Sequence, residues 1–398
     1  MTKGNKSLQL SLNEFIPKLG RSKTSVSKVA YSKARRKLKH TAFIELNQEA
    51  VVKTMYEDGD YQTWHGHRVL AVDGSKIILP DNKETIAEFG TWHYWAQQKD
   101  KDISGTRTMA LASTLYDVLN GVSLDARLER CDAYEVSIAK EHLKHTGDSD
   151  LVIYDRGYFS FRMMAIATQA KTDFLIRARG RRSFRISDEM LKGHGPGDIV
   201  LDIKPSKNRR TVVRQEGLPT KLTVRFVRVK LKTGEYEVLA TSLLDQVKYP
   251  ARYFKDLYYL RWGIETFYGR LKGRLGLENF SGYSPEAIRQ DFYATIFLTG
   301  AESILTLEAE QHLKKKTKSS KINPQKVNKA VSFNAIKYRA FELFYSHEPE
   351  EEVLKQLTSL FVTSPTIVRK DRNPVRFENS SRQVLNFWKR KRKRKIVF

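Results

Sequence analysis

The chain has 398 residues, of which 40% are hydrophobic and 29% are charged, a balance typical of a globular protein with two or three domains. Lysine and arginine number 71 against 45 acidic residues, and the resulting net charge of +26 favours a polyanionic partner such as nucleic acid. The single cysteine, Cys131, excludes a disulfide framework or a cysteine zinc site within one chain and indicates a reducing cytoplasm.

Two features argue against a membrane protein. The first ten residues lack the apolar segment of a signal peptide. The most apolar stretch, residues 292–307, is short and is interrupted by Thr295, Thr299 and Glu302. It therefore predicts a buried helix and not a membrane span.

Residues 1–65 are predicted to form a helical, basic region. Residues 25–28 (Ser-Val-Ser-Lys) are a plausible helix start, and residues 35–39 (Arg-Arg-Lys-Leu-Lys) form a basic cluster. Two interpretations stay open at this point: a small DNA-binding module, or a helix with a solvated charged face.

Residues 66–180 contain two apolar runs that each end in an aspartate. Residues 69–73 (Val-Leu-Ala-Val-Asp) predict a strand, a turn at Gly74 and a second strand. Residues 109–128 predict a hairpin, because Asn120-Gly121 divides them. A helix over 136–145 and a strand over 151–155, again ending in aspartate, follow. A helix over 161–170 and a strand over 174–177 complete this region.

Residues 181–235 are predicted to be a β-rich insertion, since turn signals separate strand-like segments. The glycines at 193–197 indicate a turn and not a phosphate loop, because no strand-to-helix context surrounds them. The main pattern resumes with a strand over 238–244 and a long helix over 251–275.

The remaining chain is predicted to be helical and basic. A helix over 285–307 follows the long helix, and residues 314–316 (three lysines) are expected in a loop. Apolar spacing predicts a further helix over 351–361. Residues 389–395 are all lysine or arginine, a pattern typical of a disordered segment that binds polyanions without sequence preference.

The long helix carries the most specific pattern in the chain. Tyr258, Arg261, Glu265 and Lys272 lie at offsets that place them within roughly 60° of one another at about 100° per residue. One face would therefore present a phenol, a guanidinium, a carboxylate and an ammonium. The alternative is a solvated stripe with an Arg261–Glu265 ion pair, but the apolar neighbours of these residues place the stripe beside a core face.

This pattern resembles the Tyr-x2-Arg-x3-Glu-x6-Lys signature of the insertion-sequence-four family of DDE transposases. Residues 71–75 (Ala-Val-Asp-Gly-Ser) and 154–158 (Tyr-Asp-Arg-Gly-Tyr) look like the first and second acidic motifs of that family. The order strand-Asp, strand-Asp, β insertion, helix-Glu also agrees. The resemblance covers residues from about 25 to 300.

The resemblance implies an α/β fold with a ribonuclease H-like catalytic core over 66–180 and 236–310. The β-strand insertion would cover 181–235, the helical DNA-binding region 1–65, and the C-terminal helical region with its basic tail 311–398.

It further implies that Asp73, Asp155 and Glu265 are catalytic and hold two Mg²⁺ (or Mn²⁺) ions, as phosphodiester cleavage by two metal ions requires. By analogy, Tyr258, Arg261 and Lys272 would hold DNA phosphates, with Arg156 assisting.

Some members of that family form a DNA hairpin at the cut end, where an aromatic side chain of the β insertion holds a flipped base. No tryptophan lies between residues 160 and 261. Phe184, Phe226 or Tyr236 would have to take that place, so the hairpin step is open.

Other residues are weaker candidates. His65 and His67 lie near Asp73 at an expected strand start, where a surface or structural role is favoured over metal binding. Residues 92–95 (Trp-His-Tyr-Trp) could stack on bases, but packing is favoured.

The sequence as a whole predicts a cut-and-paste transposase that acts as a homodimer on double-stranded DNA, joining terminal inverted repeats to target DNA. We expect it in a bacterial or archaeal cytoplasm, associated with the nucleoid. One alternative is another ribonuclease H-like DNA nuclease. The other is a non-catalytic DNA-binding protein derived from a transposase, which the intact acidic residues argue against.

Overall fold

The computed structural model describes residues 7–19, 24–98, 101–180, 184–319, 323–339, 342 and 348–368. The α-helices in these ranges are α1 (Leu8–Phe15), α2 (Lys28–Arg35), α3 (Thr41–Asn47), α4 (Thr54–Glu57), α5 (Lys83–Phe89), α6 (Glu135–His142), α7 (Phe161–Gln169), α8 (Arg185–Leu191), α9 (Arg210–Gln215), α10 (Tyr253–Tyr259), α11 (Trp262–Gly269), α12 (Pro285–Ser319), α13 (Lys329–Arg339) and α14 (Glu350–Thr363). The strands are β1 (Arg68–Ile78), β2 (Thr91–Gln98), β3 (Lys101–Asp117), β4 (Val122–Arg130), β5 (Asp150–Tyr154), β6 (Asp173–Arg177), β7 (Asp198–Ile203), β8 (Leu222–Lys230), β9 (Tyr236–Thr241), β10 (Gln325–Val327) and β11 (Pro365–Ile367).

A nine-stranded sheet organises the described part of the chain. Its strands follow the order β2–β3–β1–β5–β6–β9–β8–β7, and β4 pairs with β3 beside this path. Strand β1 is antiparallel to β3 and parallel to β5, and β5 is parallel to β6. Strands β10 and β11 form a separate two-stranded sheet. The protein is therefore a mixed α/β structure around one large sheet.

Helices cover both faces of this sheet because side chains alternate along β1. Leu70 and Val72 lie in a core with residues of α6 and α7. Ala71 and Ile77 lie in a second core with residues of α11 and α12. The centre of the sheet is thus buried on both sides, which fixes β1 as a rigid support for residue 73.

The expected turn at Gly74 is wrong, because β1 continues through this residue to Ile78. Gly74 pairs with Ser113 of β3 in the ladder. A Cβ atom at this position would lie 3.1 Å from Leu111 Cδ1. The glycine therefore serves close packing and does not turn the chain.

Local signals set several other element ends as expected. The Asn120-Gly121 hairpin is confirmed between β3 and β4, with Gly121 at a φ of 76° that favours glycine. Ser27 caps α2 through its side chain, and Ser160 caps α7 in the same way.

The predicted long helix over 251–275 is wrong in one respect, because it is divided into α10 and α11 and ends in a π-helical segment, Arg270–Arg274. At the division, main-chain bonds run over three residues and not four, as from the Arg261 N–H to the Tyr258 carbonyl. Such a tightened turn changes the angular phase of the helix. Tyr258 therefore lies on a different helix from Glu265.

The segment expected as a β-rich insertion contains the strands β7 and β8 and also the short helices α8 and α9. Its strands extend the main sheet, because β8 pairs with β9. Arg225 of β8 is fully buried and forms a bidentate ion pair with Asp198, at 2.8 and 2.6 Å. This pair fastens the inserted strands to each other.

Helix α12 is longer than predicted, and the expectation of a loop at Lys314–Lys316 is wrong. Lysine has a high helix propensity, and Ala309 and Leu313 continue the buried stripe of α12 against Leu357 and Phe361 of α14. Residues 389–395 lie outside the described residues. In the part of the chain that the structure covers, no helix is long and apolar enough to cross a membrane.

The N-terminal helices pack against α12. The Arg35 guanidinium binds the side chains of Gln290 and Asp291, at 2.7 and 3.1 Å, and His40 pairs with Glu286 at 2.9 Å. Arg35 is thus used for structure. Five basic residues in and around α2 are exposed to solvent: Lys28, Lys33, Arg36, Lys37 and Lys39.

Candidate active site

Asp73 and Asp155 are brought side by side by the register of two parallel strands. Val72 of β1 is paired with Tyr154, the last residue of β5, so Asp73 on β1 lies next to Asp155, which directly follows β5. Neighbouring strands lie about 4.8 Å apart, and residues in register point to the same face. The expected convergence of the two strand-end carboxylates therefore follows from the pairing.

Glu265 approaches this pair from α11, whose position on β1 is fixed by packing. Ile264 and Phe267 are buried with Ala71. The Tyr268 hydroxyl lies within hydrogen-bonding distance of the Asp73 carbonyl oxygen at 3.0 Å and of the Ala112 carbonyl at 3.1 Å. The helix is thus attached to the main chain of Asp73 itself.

Arg261 lies between two of the acids. Its Nη2 donates to Glu265 Oε1 at 2.6 Å, and its Nη1 is 3.8 Å from Asp73 Oδ2. The side chain is buried, and its Nε atom has no hydrogen-bond partner in the described structure. One guanidinium therefore lies close to both carboxylates through its two Nη atoms, and its Nε–H makes no hydrogen bond to any described residue.

The charges of Asp155 and Glu265 both act on Asp73. The pKa of Asp73 is raised to about 7: burial raises it most, the charges of Asp155 and Glu265 also raise it, and the Gly74 N–H and Arg261 oppose this rise. The negative charge of this site is therefore not fully compensated by the protein, which is the condition under which a cation binds.

The donor set fits a hard divalent cation, since all three side chains offer carboxylate oxygens. They do not form a closed cage: among the described residues, no three histidine, cysteine or acidic side chains are grouped tightly enough to enclose an ion. Arg261 occupies the space between Asp73 and Glu265. The carboxylates would have to turn toward one another for an ion to be held.

Comparison with known proteins decides the family. The sequence model described as "Transposase DDE domain" matches residues 64–299, more than half of the chain and a range that includes all three acids. This chain belongs to the DDE transposase family. It is 25% identical over 256 residues to "Transposase InsG for insertion sequence element IS4" of Escherichia coli (strain K12), a match that covers 63% of this chain and 55% of that protein.

A solved structure of another transposase resembles the fold weakly. It is described as "piggyBac transposase synaptic complex with hairpin DNA" and shares 10% identity at a TM-score of 0.38, over 80% of this chain and 61% of that one. The likeness is too low to carry an argument about function. In both comparisons the chain spans between half and two thirds of the other protein's length.

The other two residues of the helix pattern lie around the acids of this DDE transposase in different ways. Tyr258 is buried at the end of α10, and burial raises its pKa to about 12, with smaller effects from Arg261, Arg177 and Asp155. Lys272 donates to the Lys76 carbonyl oxygen of β1 at 2.6 Å. Tyr258 therefore lies near the acids. Lys272, by contrast, attaches the π-helical segment to β1.

Arg156 is exposed beside Asp155 and lines a cavity of about 700 Å³. Arg177, the last residue of β6, and Arg179 line the same cavity, which reaches Asp155 itself. Sequence reasoning missed these two arginines. The signal was present, since they alternate at the end of a predicted strand that runs beside the one carrying Asp155.

The two histidine candidates take part in packing, whereas Trp92 and His93 are exposed and the side chains of residues 94 and 95 lie outside the described ones. His65 and His67 belong to an aromatic cluster with Trp64 and Tyr249 at the start of β1. His67 Nε2 lies 3.0 Å from the Tyr249 hydroxyl. Trp92 is partly exposed, with the Lys76 ammonium 4.1 Å from its ring centre.

The aromatic residues considered for a flipped base differ in exposure. Phe226 is fully buried in the core, so it is not available to stack on DNA. Phe184 packs partly against the same core, and Tyr236 lies beside Arg228 with 5.1 Å from guanidinium to ring centre.

Proposed function

We propose that this protein is a transposase that cuts double-stranded DNA at the terminal inverted repeats of an insertion sequence and joins the ends to target DNA. The observation that supports this most strongly is the pairing of β1 with β5, which puts Asp73 next to Asp155. The charge of Glu265 also acts on Asp73, and Asp155 borders a cavity lined by arginines. Membership of the DDE transposase family agrees with this reading.

The order of the central strands supports a ribonuclease H-like core. Strands β4, β3, β1, β5 and β6 lie side by side, the first three antiparallel and the last three parallel. The acids sit where β5 ends, the edge at which mixed α/β sheets place their functional groups. The insertion between β6 and β9 enters the sheet through β7 and β8.

Asp73, Asp155 and Glu265 would hold two Mg²⁺ or Mn²⁺ ions. When bound, such a pair activates the attacking water or 3′-hydroxyl and stabilises the leaving oxygen of an in-line displacement. The chain would hold the three side chains in position through β1, β5 and α11. The Tyr268 hydroxyl links α11 to the main chain of Asp73.

Arg261, Arg156, Arg177 and Arg179 would bind DNA phosphates next to the cut. Arginine suits this role because its planar fork makes two parallel hydrogen bonds to phosphate oxygens. Arg261 is close to the acids, whereas the other three surround the cavity that opens at Asp155. The Tyr258 ring would hold the Arg261 guanidinium in place by a cation–π contact, with 5.9 Å from its ring centre to the guanidinium carbon.

A homodimer on DNA would pair the two ends of the element. The net charge of +26 supports tight, salt-sensitive DNA binding. The exposed basic residues around α2 would contact DNA outside the catalytic site.

The test uses purified full-length protein with DNA that carries the ends of the encoding element. Cleavage and joining to a target plasmid are measured in magnesium, and DNA affinity is measured in chelator. Glu265→Gln and Asp155→Asn should lower cleavage by several orders of magnitude, as expected for the loss of a metal ligand, and should leave affinity unchanged or higher. Asp256→Asn, an exposed acid on α10, is the matched control and should cut like the wild type.

The two alternative functions give different results in the same assay. Cleavage of DNA without joining at a 3′-hydroxyl end would indicate another ribonuclease H-like nuclease. Affinity without any metal-dependent cleavage would indicate a non-catalytic DNA-binding protein. Wild-type cleavage by Glu265→Gln would remove the three-carboxylate assignment.

A further inference from the structure

A fourth carboxylate reaches the acidic site from the opposite face of the sheet. Glu135 is the first residue of α6, and its carboxyl group lies over Gly74. Its Cδ and Oε1 atoms are each 3.2 Å from the position that a Cβ on Gly74 would occupy. Because Gly74 follows Asp73 directly, this carboxylate lies against the main chain beside the first aspartate.

The sheet has an opening at this point. Strand β5 ends at Tyr154, opposite Val72, so no paired strand lies beside residues 73 and 74 on that side of β1. Helix α6 packs on the face of Val72, and α11 packs on the face of Ala71. Groups from both faces therefore reach the same space, which Asp155 borders.

The charge of Asp155 acts on Glu135 in this space. Burial raises the pKa of Glu135, the Asp155 charge raises it further, and Lys76 opposes both. Tyr158, which is 1% exposed, lies beside Glu135, and its hydroxyl lowers the pKa of Glu135 as a hydrogen-bond donor. After burial, Glu135, Asp73 and Asp155 raise the pKa of Tyr158 most. One buried hydroxyl thus faces three carboxylates.

We propose that Glu135 supplies a fourth carboxylate to the metal site, from the α6 side of the sheet, opposite Glu265. Two hard cations need about twelve oxygen ligands between them, and a fourth carboxylate supplies part of this number. A side chain on Gly74 would crowd both Leu111 Cδ1 and the carboxyl group of Glu135, at 3.1 and 3.2 Å from its Cβ. The inference rests on the proposed function, since it presumes that the other three acids hold metal.

The first experiment measures the Mn²⁺ dissociation constant of the full-length protein by calorimetry, without DNA. Glu135→Gln should weaken Mn²⁺ binding by about tenfold or more, as for other residues that support a metal site. Glu141→Gln is the matched control, because Glu141 lies on the same helix and pairs with Lys144 at 2.6 Å. It should bind Mn²⁺ like the wild type.

A second measurement uses the unaltered protein, so it does not depend on how the variant folds. Fe²⁺ with peroxide and ascorbate cuts the main chain next to a bound ion, and cuts are expected near residues 73–74, near 155 and near 134–136. Wild-type Mn²⁺ affinity in Glu135→Gln, or cuts near 73 and 155 without cuts near 134–136, would overturn the role of Glu135. If Asp155→Asn also binds Mn²⁺ like the wild type, the proposed metal site itself is wrong.

Discussion

The Arg261 guanidinium is ion-paired with the Glu265 carboxylate, at 2.6 Å from Nη2 to Oε1. The two residues are one helical turn apart at the start of α11, a spacing that allows such a pair. The same guanidinium reaches Asp73 on β1 at 3.8 Å. In this arrangement a cation of the protein itself stands between two of the three acids.

Replacing Arg261 with alanine should separate the metal site from DNA binding. Mn²⁺ affinity should stay the same or rise, because a competing positive charge is removed from Asp73 and Glu265. Binding of DNA with a pre-cut end should weaken by about tenfold, since a phosphate contact is lost. Calorimetry with Mn²⁺ and a gel-shift titration in chelator measure the two effects. Loss of Mn²⁺ binding would show that Arg261 holds the acids in place.

The raised pKa of Asp73 predicts how stability depends on pH. The pKa is about 7 in the folded protein against 3.8 for a free side chain. The folded state therefore keeps a proton that the unfolded state releases, so stability of the metal-free protein falls as pH rises from 4 to 7. Asp73→Asn removes this loss and should be more stable than the wild type by about 2–4 kcal/mol at pH 8, with little difference at pH 4. Urea unfolding in chelator at both pH values measures it, and equal stabilities at pH 8 would contradict the coupling.

The affinity for metal should rise with pH, whereas the stability of the metal-free protein falls. Below pH 7 an ion competes with the proton on Asp73, so Mn²⁺ affinity should rise with pH by up to about tenfold per unit and level off above 7. Calorimetry in buffers of different ionisation enthalpy should detect release of one proton at pH 6. A constant affinity from pH 5.5 to 8 would place the ion away from Asp73.

Tyr268→Phe should loosen the attachment of α11 to β1. The change removes the one hydroxyl proton that lies within reach of the Asp73 and Ala112 carbonyl oxygens and should cost about 1–3 kcal/mol of unfolding free energy. Cleavage should fall as well, because Glu265 is carried on the same helix. Tyr259→Phe is the control, since Tyr259 is exposed, and it should change neither quantity. A Tyr268→Phe variant with wild-type stability would argue against the role of this hydroxyl.

The cavity arginines predict a local effect on DNA affinity. Arg179→Ala should weaken DNA binding and lower the slope of log affinity against log salt by about 1, as for the loss of one phosphate contact. Arg185→Ala is the matched control, because Arg185 is exposed on α8 and pairs with Glu189 at 2.8 Å. An equal effect of the two variants would show only a general charge effect.

Deletion of residues 389–395 tests the basic tail. These seven lysines and arginines should add to affinity without reading sequence, so the deletion should lower the salt slope and keep the preference for the ends of the element. Competition titrations with end and random DNA measure both. Loss of the preference would show that the tail recognises sequence.

The sequence by itself determined the elements that carry the acids. Apolar runs ending in Asp73 and Asp155 predicted two strands, and the pattern around Glu265 predicted a helix beside a core face, because strand and helix periods are local properties of the chain. The hairpin at Asn120-Gly121 was readable for the same reason, since its turn needs a residue with positive φ.

The tertiary structure alone decided which distant groups meet. The tightened turn between α10 and α11 contains no proline, and its one glycine, Gly263, does not by itself specify a break. The turn places Tyr258 and Glu265 on separate helices. Arg261 reaches Asp73, and Glu135 reaches Gly74, only because β1 lies between α11 and α6. Such contacts join residues far apart in the chain, and their geometry is fixed by packing of the whole sheet, to which no local pattern responds.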